Sequence, residues 1–306
     1  MPPSDRDRTG FSPRAGSLLK AAFAVAAWGA SFVATKIALR EMSPVALVWA
    51  RFALGIVVLG VIVLARRQLR PISRGDLGYF LLLGFLGITF HQWLQSNGLV
   101  TAQATTTGWI IATTPLFIAI LGRLFLREKL GFLGVVGILV AAFGVLLVVA
   151  KGNPRAIAIG WVGNPGDALI LISAVNWAVF SVISRRGLKR HPAALMMFYV
   201  MLFGWLLTTA LFAVESRFRG IGPLSASGIA ALLFLGLVCS GVAYVFWFDA
   251  LERIPASRVG AFLYLEPLVT VGVAAALLGE AILPGTMVGG AIILFGIWMV
   301  NRERAS

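Results

Sequence analysis

Apolar stretches of roughly 20 residues follow one another along almost the whole chain, and a helix of that length matches the width of a bilayer's hydrocarbon core. Ten can be placed, over residues 17–38, 44–65, 77–98, 102–122, 131–150, 166–185, 193–214, 227–249, 256–277 and 284–300. Backbone amides in hydrocarbon must find partners inside their own segment, so these stretches are expected to be helices. The predicted fold class is therefore an all-α polytopic membrane protein. Composition agrees, since 59% of the 306 residues are hydrophobic and 12% are charged, against about a quarter charged in soluble domains.

The stretches fall into two sets. Displacing the sequence by 152 positions lays Gly84 on Gly236, Gly108 on Gly260, Pro115 on Pro267, Glu128 on Glu280, Gly137 on Gly289 and Gly144 on Gly296. Coincidences at one offset mark an internal repeat. In the first two spans the match shifts to an offset of 149, with Trp28 over Trp177 and Lys36 over Arg185. The predicted organisation is a disordered cytoplasmic tail over 1–16, a first five-helix repeat over 17–150, a linker over 151–165, a second five-helix repeat over 166–300 and a short tail over 301–306. The linker contains Ile157, Ile159, Trp161 and Val162, and reads either as an amphipathic piece along the interface or as a floppy connector.

Five spans is an odd number, so the second repeat must enter from the side opposite the first, and the two become inverted repeats around a central cavity. Basic residues set the orientation. With the N-terminus in the cytoplasm, nineteen Lys and Arg fall on the cytoplasmic side, six fall opposite, and Arg51 lies inside a span. Both termini are thus predicted to be cytoplasmic.

The same distribution disposes of other classes. A net charge of +14 would suggest nucleic acid on a soluble domain, but here the cations flank the spans, where lipid headgroups call for them. Cys239 is the only cysteine and lies in an apolar run, which excludes a disulfide framework or cysteine-based metal site. There is no nucleotide-binding motif and no acid/base cluster of the kind a membrane enzyme needs. No cofactor is predicted, lipid and a small-molecule solute are the expected partners, nucleic acid is not, and oligomeric state is unconstrained.

Polar side chains inside spans carry the rest, because they are costly in hydrocarbon unless they face a cavity or a partner. Thr89, His91, Gln92, Gln95 and Ser96 gather in the third span; Thr106, Thr107, Trp109, Thr113 and Thr114 in the fourth; Ser173, Asn176 and Trp177 in the sixth; Tyr244, Trp247 and Phe248 in the eighth; Tyr264 and Glu266 in the ninth. With Trp28, these predict a polar chamber with aromatic walls, whose solute-binding residues are Trp28, His91, Gln92, Gln95, Thr107, Trp109, Ser173, Asn176, Trp177, Tyr244, Trp247, Tyr264 and Glu266. His91 reads either as a proton carrier or as a hydrogen-bonded structural residue, and Glu266 as a proton or cation site or a helix cap; Lys36 and Arg51 are its potential partners. Pro115 and Pro267 are each expected to remove an intrahelical bond and bend the span, for gating or for packing. The spaced glycines read as close helix packing, and Glu128 and Glu280 as helix-end caps or ion pairs.

The second half carries IPASRVGAF, a mid-span proline in LYLEPLV, LLGEAI and a glycine-spaced last helix; the first half repeats the order as TAQATTTGW, ATTPLF, LFLREKL and GFLGVVGILVAAFG. This order resembles the EamA branch of the drug/metabolite transporter superfamily from about residue 20 to 300. The resemblance implies a multi-pass exporter of the bacterial inner membrane, working by alternating access between two inverted repeats. Its cargo would be small metabolites such as amino acids, and the YddG-like branch handles aromatic ones. The rival is a multidrug or organic-cation efflux carrier, proton-coupled through His91 or Glu266. One departure matters: Leu265-Glu266-Pro267 stands against Thr113-Thr114-Pro115, so the carboxylate occurs in one half only.

Overall fold

The computed structural model describes residues 13–125, 131–153, 155, 163–215, 222–253, 259 and 262–303. They form helices throughout: α1 (Pro13–Ala38), α2 (Pro44–Ala65), α3 (Arg74–Thr101), α4 (Ala104–Phe125), α5 (Phe132–Val149), α6 (Pro165–Leu188), α7 (Ala193–Glu215), α8 (Ala226–Leu251), α9 (Phe262–Leu278) and α10 (Pro284–Glu303). Among the described residues, α1 to α8 are long and apolar enough to cross a membrane, while α9 and α10 are shorter apolar helices. The outward faces are apolar as well: on α5, Leu139, Phe143 and Leu146 are all more than half exposed. A helix apolar on every side is stable only with hydrocarbon as its solvent, and the chain is a multi-pass membrane protein. Most of the N-terminal tail, the apolar linker residues 157–162 and Glu128 lie outside the described residues.

Local chemistry sets the ends of these helices. Ser43, Ser73 and Ser225 each stand before a helix and accept an amide from its first turn, and Asn164 with Asp167 forms a reciprocal capping box. Pro44 and Pro165 open α2 and α6, where a missing N–H is harmless. Gly279 closes α9 with φ 66°, in the left-handed region that glycine enters freely. The Ser225 hydroxyl and amide both donate to Glu41, and these bonds hold its carboxyl below the ordinary glutamate range.

Packing pairs the helices across the two halves. α1 lies against α8 and α9; α6 lies against α3 and α4. α2 contacts α7 and α8, α3 contacts α7, and α4 contacts α9. The most extensive crossing joins α5 and α10, antiparallel, with Gly137 facing Gly296 and Gly144 facing Gly289. A Cβ on Gly137 would stand 2.6 Å from the Gly296 carbonyl oxygen, so the backbones themselves are in contact there.

Four helices are irregular. α3 passes through a π-helical segment over Phe85–Phe90, and α8 through another over Phe234–Val242. α4 is interrupted between Ile111 and Thr114, and α9 begins as a 3₁₀ turn over Phe262–Leu265 before its α-helix starts at Glu266. Pro115 and Pro267 therefore each stand second in a fresh helical segment, not inside a continuous bent one. The carbonyl that Pro115 leaves without an amide donor, that of Ile111, is taken by the Thr114 hydroxyl at 2.8 Å.

Candidate functional site

The π segments decide what faces the interior. A π turn carries one residue more than an α-turn and widens the helix, freeing carbonyls that need another donor. In α3 the freed carbonyl is that of Leu86, which accepts from Asn176 Nδ2 of α6 at 2.7 Å. In α8 it is that of Cys239, which accepts from Trp28 Nε1 of α1 at 3.2 Å. Each π turn is thus held by a polar side chain from the helix packed beside it.

Just past the α3 bulge, His91 and Gln92 turn inward, both buried. His91 Nδ1 lies 3.2 Å from the Ser173 carbonyl oxygen, and since a carbonyl only accepts, Nδ1 carries the proton and Nε2 is left as the acceptor. Its ring lies 4.7 Å from that of Trp177. Gln92 Oε1 accepts from Arg51 Nη1 at 3.1 Å, and Arg51 Nε donates to Ser240 Oγ in the α8 bulge at 3.2 Å. Arg51 is buried in α2, within electrostatic range of His91, Cys239 and Tyr244.

Aromatic rings pack together nearby. Trp28 meets Tyr244 edge-on at 5.4 Å and Trp247 at 5.3 Å. Trp28 and Trp177, which the internal repeat superposes, both pack on one buried cluster containing Phe52, Ile88, Phe180 and Tyr244. Glu266 opens the α-helical part of α9, where the Thr270 hydroxyl has the Glu266 and Gly29 carbonyl oxygens both at 2.9 Å as acceptors for its single hydrogen. Its side chain is half-buried and within electrostatic range of Tyr244.

The expected residues divide accordingly. Trp28, His91, Ser173, Trp177, Tyr244 and Trp247 are joined by direct contacts or a shared cluster, Gln92 bonds Arg51 beside them, and Glu266 lies close by. Asn176 serves the α3 bulge, and Gln95 is half-buried on the same helix. Trp109, Thr107 and Tyr264 lie elsewhere. Trp109 is 1% exposed and lies flat on Gly290 of α10, Tyr264 packs against a second cluster formed by Trp109, Val148, Val271, Ile293 and Ile297, and the Thr107 hydroxyl returns to the Gln103 carbonyl. Lys36 does not reach Glu266: its ammonium donates to the Leu99 and Ala102 carbonyls where α3 ends. Arg51 and Ser240 are the polar members that the expected set omitted. The signal for Arg51 was its isolation as a cation within an apolar run.

Two stretches of the chain, residues 16–150 and 164–302, each match the model of the EamA-like transporter family. A protein of Archaeoglobus fulgidus described as an uncharacterized transporter is 28% identical over 92% of this chain and 98% of its own length. A probable terminal-alkyne amino-acid exporter of Streptantibioticus cattleyicolor is 29% identical over 91% of each chain. A protein of known crystal structure superposes with a TM-score of 0.66 over 94% of this chain and 96% of its own, at 21% identity, a likeness of fold.

Proposed function

The chain belongs to the EamA-like transporter family, and from this we propose that it exports small organic metabolites, amino acids foremost, by alternating access through the chamber between its halves. Ten spans form two inverted repeats, 17–150 and 166–300, joined by a linker over 151–165, with both termini in the cytoplasm of a bacterium and the bundle in its inner membrane. In support of the inversion, α5 and α10 cross antiparallel at repeated glycines, and α1 meets α8 and α9 as α6 meets α3 and α4. Excess basic residues at one end of the bundle support the orientation.

The observation that carries the transport reading is the meeting of polar groups from both halves inside a membrane bundle: Arg51 and Gln92 from the first with Ser240 from the second, beside Trp28 and Trp177 on one cluster. Such groups are tolerated at that depth where they serve a solute path. The relative named as a probable amino-acid exporter supports the choice of cargo.

One feature favours a second reading, efflux of organic cations. No ion pair is formed by the Glu266 carboxylate among the described residues, and the neighbouring aromatic faces suit a cation. Counterflow into proteoliposomes separates the two. Amino-acid export predicts uptake of labelled amino acids driven by an internal pool of the same compounds, reduced about tenfold or more by Trp28→Ala or Tyr244→Ala, a loss of the order expected for an aromatic contact. Uptake of tetraphenylphosphonium alone, tied to a proton gradient and lost in Glu266→Gln, would establish the second reading instead.

A further inference from the structure

Two ionisable side chains of opposite sign lie inside the bundle without pairing with each other, Arg51 buried and Glu266 half-buried. Arg51 presents five N–H donors; the two bonds it makes go to Gln92 and Ser240, both uncharged. Its other neighbour is the face of Phe52, whose centroid lies 5.1 Å away. Among the described residues, no carboxylate forms an ion pair with it. Glu266 is its complement, with no cation on its carboxylate among the same residues. Elsewhere in the bundle Lys20 and Arg66 grip Asp249 at 2.7 and 2.8 Å, and Arg190 reaches Asp76 at 3.0 Å.

A buried cation without a counter-ion is expensive, and a chain keeps one where a ligand supplies the missing charge. The two bonds Arg51 makes also aim it. With Nε and Nη1 tied to α8 and α3, the N–H donors of Nη2 are left for a further acceptor, and a carboxylate is the acceptor that guanidinium holds most strongly. A Cβ on Gly29, the residue after Trp28, would meet the Glu266 carbonyl oxygen at 2.7 Å, Trp28 meets Tyr244 and Trp247, and Arg51 bonds Ser240 four residues before Tyr244, so both residues border the same aromatic group.

We propose that Arg51 and Glu266 form a divided receptor for a zwitterion: Arg51 takes the carboxylate and Glu266 the ammonium of a free α-amino acid, whose side chain lies against Trp28, Tyr244 and Trp247. The assignment rests on the amino-acid export reading and gives it a chemical criterion. Compounds lacking either charge leave one of the two residues unpaired and bind worse.

The test uses purified full-length protein in proteoliposomes and four probes that share one ring: L-phenylalanine, its methyl ester, phenethylamine and 3-phenylpropionate. Wild type is expected to prefer phenylalanine to each of the others by about tenfold or more, the scale of one lost charge-assisted hydrogen-bond pair. Arg51→Gln should collapse the preference for phenylalanine over phenethylamine and leave its preference over phenylpropionate; Glu266→Gln should do the reverse. Arg51→Lys, which keeps the charge without the planar fork, should restore part of the preference. Because each readout is a ratio within one preparation, a general loss of folded protein does not imitate it. Phenylalanine transport with unchanged ratios in both variants overturns the divided receptor and leaves amino-acid export standing. Carriage of tetraphenylphosphonium with no response to any amino acid overturns both.

Discussion

Glu280 shows how a single carboxylate joins the halves. α4 starts at Ala104 behind Gln103, which makes no capping bond with its side chain. The work is done by Glu280, just past the glycine that ends α9: its oxygens accept from the Ala104 and Thr105 amides at 2.9 Å and from the Thr105 hydroxyl at 2.8 Å. A negative charge at a helix N-terminus also meets the positive end of the helix dipole. On the other side of the same turn, Lys36 holds the last carbonyls of α3. Glu280→Ala is expected to cost about 1–2 kcal/mol, the range for a lost N-cap, seen as a lower melting temperature in detergent; Glu280→Gln, which keeps an acceptor, should lose less. Equal melting of Glu280→Ala and wild type would remove the capping role. Pairing Glu128 with Glu280 in the sequence flagged the position, but only the fold shows which helix end the carboxylate reaches, since 175 residues separate it from Thr105.

Helix boundaries and packing glycines were legible because each rests on local chemistry. The long apolar runs survive as helices, and the repeated glycines Gly137, Gly144, Gly289 and Gly296 survive as a close crossing. The π segments of α3 and α8 were not legible, because neither FLGITF nor FLGLVCSGV differs in composition from an ordinary membrane helix. Each accepts a bond from a side chain of another helix, Asn176 in one case and Trp28 in the other. Trp109 is the converse case. An indole beside threonines reads as a wall residue, yet Gly290 on α10 makes a flat berth for it, and a Cβ there would fall 2.5 Å from its ring atoms. The glycine crossing gives a direct test of packing. Gly296→Val places a branched side chain where a Cβ already meets the Gly137 carbonyl oxygen at 2.5 Å, and should destabilise by about 1–3 kcal/mol, as overpacking does. Gly272→Ala is the control: its Cβ meets nothing within 4 Å, so its melting temperature should stay near wild type.

The bundle has two chemically distinct ends. One carries the Asp249 pairs with Lys20 and Arg66 and the Asp76 pair with Arg190; the other is closed by Ser43 with Glu215, Ser225 with Glu41, and Asn164 with Thr101. If the first end is cytoplasmic, an impermeant thiol reagent added to intact cells should label Arg40→Cys and Asn153→Cys, both exposed at the second end, and spare Arg70→Cys and Lys189→Cys. The single native thiol, Cys239, is buried and gives no background. Labelling of all four to the same extent would defeat the orientation. The π segments carry one more implication for the assembled bundle. The spare residue in each is a slack link, and letting it slip one place along the helix turns the residue it passes by about 100° about the axis. In α8 that slack lies at Ser240, the residue on which Arg51 rests, a few positions before Tyr244. Such a slip would re-aim Ser240 and its neighbours from inside one rod while both of its ends stay anchored.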